Sequence, residues 1–184
     1  FPLGGQAGAT IKPELLGQDV PHDAISIKLP QHLHGDGSPN TTIGSYKHPF
    51  VFHDYQAGSL SFEISHLREF IENTEAAKGV LATPAVFNGR ILQADEVDKW
   101  WFSASQGDNL LFDLRAARLG SRLDSIIAIY DKDGNLLKQH DDITNGNTDS
   151  SLLMSFKDDG DYYVTVADTV GGRSGKNYAY RLVV

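Results

Sequence analysis

Lys99-Trp100-Trp101-Phe102-Ser103-Ala104-Ser105-Gln106-Gly107-Asp108-Asn109-Leu110-Leu111-Phe112-Asp113-Leu114 reads as strand, turn, strand. Lys99–Ala104 and Asn109–Leu114 are short runs rich in aromatic and branched apolar residues, and Ser105-Gln106-Gly107-Asp108 supplies turn chemistry between them. Successive strand residues face opposite sides, so Trp100 and Phe102 share one face and Trp101 takes the other. The same grammar recurs in Ile126–Tyr130, Ser151–Phe156, Tyr162–Val166 and Tyr178–Val184, with turns at Asp131–Asn135 and Lys157–Asp161. Short strands at regular spacing predict a β-sandwich or barrel.

Composition supports this. Beyond about residue 84 the chain has 14 Asp but a single Glu, Glu96. Asp favours turns and Glu favours helices, so this part is strands joined by tight turns. Before residue 84 the pattern is weaker. Ala9–Leu16, Ala24–Leu29, His48–Phe52 and Ser59–Ile64 read as strands, with Pro13 placing the first at an edge or a bulge. The one helical candidate is Ser65–Lys78, with a possible Ser65 cap and Leu67, Phe70 and Ile71 at helical spacing. The expected architecture is all-β: two tandem β-sandwich modules, 1–65 and 85–184, joined by a linker at 66–84.

Several classes are excluded. The chain has 184 residues, enough for one large domain or two small ones. With 40% hydrophobic residues and 18 Gly it can bury a core. No apolar run approaches the ~18 residues of a membrane span. A net charge of −8 argues against a nucleic-acid partner. The lack of Cys rules out a disulfide framework, a thiolate zinc site and a Cys nucleophile, but leaves the compartment open. The first residue is Phe1, so a processed product or a piece of a larger protein is expected.

Four groups of residues could carry chemistry. His32 and His34, with Asp36 nearby and His22, His48 and His53 elsewhere, have spacing that suits Zn or Cu; the alternative is a polar loop. Asp131-Lys132-Asp133-Gly134-Asn135 resembles the opening of an EF-hand loop, but Leu136 stands where that loop needs Gly, so a hairpin turn is the better reading. Asp141, Asp142 and Asp149 form an oxygen-rich loop that suits calcium or is a solvated connection. Trp100 and Trp101 put one ring in the core; the other is either covered by the first part of the chain or exposed as a stacking platform for a sugar or peptide. There is no Gly-x-Ser-x-Gly elbow, His-Glu-x-x-His or Walker loop, and the Gly4–Gly8 stretch precedes a strand rather than a helix.

From Asn88-Gly89-Arg90-Ile91 through Glu96–Gly107, Ala117–Ser125, Tyr130–Gly134, Asp141-Asp142, Asp159–Val164 and Tyr178–Leu182, the chain resembles a bacterial pre-peptidase C-terminal domain. The likeness covers about 100 residues in the family's order. It is greatest to large secreted proteins of planctomycete-type bacteria. The resemblance implies a jelly-roll-like β-sandwich, a non-catalytic appendage of exported proteins. Collagen-binding domains of clostridial collagenases are distant relatives, some of which bind calcium. Three departures stand out: Asp95 where Gly is usual, Arg122 where Pro is common, and Glu69–Glu75 in place of a Glu-x-Glu-Pro-Asn segment. That segment holds calcium in the collagen-binding relatives, so the resemblance carries over only Glu72 and Asn73. The family's usual polar residue at the position of Trp101 points to Trp101, not Trp100, as the ring off the core. Phe1–Ile11 through Leu16–Val20 is similar to the opening of bacterial Ig-like IPT/TIG modules, so 1–65 is expected to be a small Ig-like unit.

The expected function is a non-catalytic accessory or binding module of a larger exported bacterial protein, serving adhesion, substrate targeting or spacing. The alternatives are a carbohydrate-binding module using Trp101, or a fragment of a metal-dependent hydrolase with a His-rich first part. The expected partners are other domains of the parent chain and extracellular polysaccharide or protein. Calcium is the candidate cofactor, and the place is extracellular, periplasmic or the cell surface.

Overall fold

A computed structural model describes residues 1–14, 25–31, 43–52, 55–144 and 146–184. The chain divides into two compact units, Phe1–Glu69 and Phe70–Val184. Among the described residues there is no α-helix, and the only helical pieces are single 3₁₀ turns at Glu75–Ala77 and Ala117–Leu119. No helix among them is long and apolar enough to cross a membrane.

The first unit contains β1 (Gly4–Gln6), β2 (Thr10–Ile11), β3 (Ile27–Lys28), β4 (Ile43–Phe52) and β5 (Tyr55–Ser65). β5 pairs antiparallel with β4 and parallel with β1, while β2 and β3 form a separate pair. Ile11, Ile27, Leu29, Phe62 and Ile64 make its core. Gly5 lets β1 approach that core closely, because a Cβ there would lie 2.8 Å from Ile11 Cγ2 and 2.9 Å from Leu29 Cδ1.

The second unit holds β6 (Arg68–Ile71, whose last two residues open the unit), β7 (Val80–Leu81), β8 (Ala85–Arg90), β9 (Asp98–Ala104) and β10 (Asn109–Arg115). It continues with β11 (Ser125–Asp131), β12 (Leu136–His140), β13 (Ser151–Ser155), β14 (Gly160–Asp168) and β15 (Ala179–Val183). Two five-stranded sheets result, in the orders β13-β10-β15-β8-β6 and β12-β11-β14-β9-β7. From β8 to β15 the chain switches sheets at every step except β11 to β12. Apolar residues from both sheets, among them Phe87, Trp100, Phe102, Phe112, Ile127, Val164 and Tyr180, form one core. This is the layered solution that alternating half-apolar strands require. β12 and β13 are edge strands, and the Lys138 ammonium from β12 donates 2.7 Å to the Leu153 carbonyl of β13.

Residues 66–84, expected as a linker with a helical candidate at Ser65–Lys78, are built otherwise. They hold β6, a 3₁₀ turn and β7. Phe70 and Leu81 are buried in the sandwich core, and the Glu72 amide donates 2.9 Å to the Asn88 carbonyl beside it. Pairing with β8 and β9 offers backbone partners and burial that an isolated helix of about four turns lacks, so tertiary contacts override local propensity.

This architecture generates a prediction. A fragment starting at Phe70 folds by itself and melts well above one starting at Thr83. The shorter piece loses the burial of Phe70 and Leu81, each of the order of 2–5 kcal/mol for a large core side chain. Equal melting temperatures for the two fragments in a thermal denaturation experiment would show that β6 and β7 are not part of this core.

Candidate functional site

The outer face of the β12-β11-β14-β9-β7 sheet carries a row of apolar side chains. Strand register pairs Val80 with Trp101, Trp101 with Tyr163, Tyr163 with Tyr130 and Tyr130 with Leu136. One apolar residue from each of the five strands therefore stands in line. Their strand neighbours Leu81, Trp100, Phe102, Tyr162, Val164 and Ile129 point into the core, so alternation turns the row outward. Val80 and Leu136 are 48% and 51% exposed, and the three rings between them are half-buried. Trp101 and Tyr163 have ring centroids 4.8 Å apart and tilted by 51°. Tyr163 and Tyr130 stack with centroids 4.9 Å apart and planes within 10°. The Lys99 ammonium sits 4.2 Å from the centroid of the Tyr163 ring. Trp100, on the other face, is 4% exposed and stacks on Phe87.

A second constellation lies where the two sheets meet. Trp100 Nε1 donates 2.8 Å to the Tyr180 hydroxyl, which donates 2.6 Å to Asp98 Oδ2. Gly89 lies opposite Tyr180 across the β8–β15 ladder, and a Cβ there would fall 2.3 Å from the phenolic oxygen. Asp98 is in turn hydrogen-bonded to Glu72, whose Oε2 accepts from the Arg90 amide at 3.0 Å. Glu72, Asn73, Glu96 and Asp98 line a cleft of about 330 Å³ with Lys78 and Trp100. Burial pushes the Asp98 carboxyl up to about 7, against the lowering effect of the Tyr180 hydroxyl. Burial also raises Glu72, partly offset by the Arg90 amide and charge. Burial, then Asp98, holds the Tyr180 phenol well above its ordinary range.

The sequence-derived site residues are placed as follows. Asp141 and Asp142 are exposed, whereas Asp149 is fully buried. Its Oδ1 accepts from the amides of Ala116 and Ala117 at 2.8 and 2.6 Å, and its Oδ2 accepts from Arg118 Nε at 2.6 Å. Arg118 also donates to the Leu114 carbonyl at 2.8 Å and pairs with Asp113. Asp149 therefore fixes the 116–118 turn. Glu72 and Asn73 meet Asp98 and Glu96 in the cleft, not the 141–149 loop. No group of three His, Asp or Glu among the described residues is arranged to hold a metal ion. His22, His32, His34, Asp36 and His53 lie outside the described residues; the Tyr46 hydroxyl and His48 Nδ1 are 3.2 Å apart on β4. Asp131 closes the β11–β12 hairpin, accepting from the amides of Asp133 and Asn135 at 3.0 and 2.8 Å, with Gly134 at φ 89°. The in-register row and the Tyr180–Asp98 relay were missed in the sequence. Their only signal was the alternation around Trp101.

No family model matches the chain, and no curated protein matches it. Among solved structures, it is similar to the pre-peptidase C-terminal domain of a collagenase from Bacillus anthracis. The two are 15% identical with a TM-score of 0.44 over 60% of this chain and 98% of that one.

Two outcomes follow from these contacts. Asp149→Ala removes the acceptor for the buried Ala116 amide and the part-buried Ala117 amide and leaves Arg118 unpaired on that side; a stability loss of about 2–3 kcal/mol is expected in denaturant titration. A loss below about 1 kcal/mol would show that the turn holds without it. For Asp98, the raised folded value means that the folded state keeps a proton the unfolded chain has already released. Its contribution is fully present below about pH 4, the unfolded carboxyl range, and is lost as pH rises towards about 7. Asp98→Asn, which mimics the protonated form, flattens that fall; melting temperatures at pH 5 and pH 8 in excess chelator measure it.

Proposed function

We propose that this chain is a non-catalytic binding module of a larger exported protein, and that the outer face of the β12-β11-β14-β9-β7 sheet is its contact surface. The observation that carries this reading is the five-residue row Val80–Trp101–Tyr163–Tyr130–Leu136. A row of apolar side chains left in water across a whole sheet is costly unless something covers it, and patches of this kind on soluble domains commonly serve interaction. The resemblance of residues 88–182 to the pre-peptidase C-terminal pattern gives the same direction, an appendage that holds or targets an exported protein. The hydrogen-bonded carboxyls and the buried Asp149 are accounted for by holding the two sheets and the 116–118 turn, which leaves the row as the feature the fold itself does not need. Extracellular polysaccharide or protein is the class of partner.

The test is retention of the chain on a panel of insoluble polysaccharides and immobilised extracellular proteins. At least one is expected to retain the native chain, and Trp101→Ala is expected to weaken that retention tenfold or more. The substitution should cost only about 1 kcal/mol of stability, the range of a cross-strand aromatic pair. Retention unchanged by Trp101→Ala would remove the row from the function.

A further inference from the structure

Resting on the binding-module reading, the row also defines the chemistry of its occupant. Near-parallel rings with centroids 4.9 Å apart, as in Tyr130 and Tyr163, overlap face to face, because phenol rings lying side by side cannot come so close. Tyr163 thus has one face against Tyr130, and the Lys99 ammonium stands 4.2 Å from its centroid. Trp101 leans on Tyr163 at 51°. A pyranose ring needs an open aromatic face lying flat to the surface. Tyr163 offers none, since it stacks on Tyr130 and the Lys99 ammonium stands over its ring, so the row presents ring edges and side-chain tips to a partner.

Charge is distributed unevenly around the row. The turns at Asp131–Asn135 and Lys157–Asp161 both lie at the sheet end where β11 finishes and β14 begins. They carry Asp131, Asp133, Asp158, Asp159 and Asp161 against Lys132 and Lys157. Asp161 is in register with Ser103 and shares the outer face with Tyr163, two residues on. The Tyr163 hydroxyl reaches the Asp131–Asn135 turn, 3.7 Å from where a Cβ on Gly134 would be. Five strands at a spacing of ~4.8 Å make the row about 19 Å long, the span of about six residues of extended chain.

We propose that this face binds an extended basic protein segment, with apolar side chains lying against the Val80–Leu136 row and arginine or lysine side chains reaching Asp133 and Asp161. Opposite charge at the rim sets the choice of partner, while the apolar row supplies most of the contact.

The experiment titrates the full chain with three probes: a labelled peptide Arg-Val-Arg-Val-Arg-Val-Arg, the same peptide with Glu in place of each Arg, and labelled cellohexaose. Fluorescence anisotropy is the readout. The arginine peptide is expected to bind at least tenfold tighter than the glutamate peptide. That binding should fall tenfold or more in Trp101→Ala and threefold or more in Asp133→Asn/Asp161→Asn. It should also weaken in 0.5 M salt, which screens rim charges. Both Asp residues are exposed, so the double variant keeps the fold, and its unchanged melting temperature checks this. Equal affinity for the two peptides, or failure of all three probes, overturns the proposal. Trp101-dependent binding of cellohexaose alone overturns it as well, but leaves the binding-module reading intact.

Discussion

A single side chain ties the second unit together. Tyr180 comes from β15 in one sheet, accepts a hydrogen bond from the indole N–H of Trp100 on β9 in the other, and donates one from its hydroxyl to Asp98. Its ring lies across Gly89, where any side chain would collide with it. The fully buried phenol has both its donor and its acceptor role filled, so it costs the core little. Phe87 stacks on Trp100 with centroids 5.2 Å apart, and Phe102 and Phe112 extend the aromatic packing. The spacing of the two sheets, and with it the burial of Trp100 rather than Trp101, follows from this relay.

The surplus of Asp over Glu has a physical use. A carboxylate one methylene from the backbone reaches amides two or three residues away, which a longer side chain does less well. Asp108 accepts from the Ser105 amide at 2.8 Å and Asp168 from Val170 at 2.9 Å, while Asp159 accepts from the Gln106 amide of a neighbouring turn at 2.7 Å. Asp149 does the same from a distance of 33 residues and from a fully buried position. Many of the acids are therefore joints of the scaffold, and fewer are available for ligands than their number suggests.

β9, β10 and β14 were legible because each alternates and is bounded by turn residues, and β11, β13 and β15 because they are short apolar runs between turns. The all-β class follows from that local grammar. β6, β7 and β8 were not legible from alternation: Ala85–Gly89 is buried at every position, and the two-residue β7 has no pattern of its own. They are strands because neighbours far along the chain pair with them. The site divides the same way. Alternation set Trp101 opposite Trp100, and the pre-peptidase C-terminal resemblance picked Trp101 as the ring off the core, but the row needs registers between residues up to 62 positions apart, which no local window contains. Asp141, Asp142 and Asp149 looked equivalent in sequence. Burial separates them, since Asp149 faces inward onto the 116–118 turn and the other two face water.

The contact between Lys138 and the Leu153 carbonyl closes the flank where β12 and β13 run as edges. Open strand edges are templates on which identical molecules add one to another, and an ammonium group placed there makes such addition costly. Leu136, Leu137 and Leu153 are exposed on those same strands, so the flank combines sticky side chains with a guarded backbone. The flank can thus expose apolar side chains while the backbone edge beside them stays guarded. Neutralising that one lysine, as acetylation does, removes the charge that opposes edge-to-edge pairing of copies along this flank.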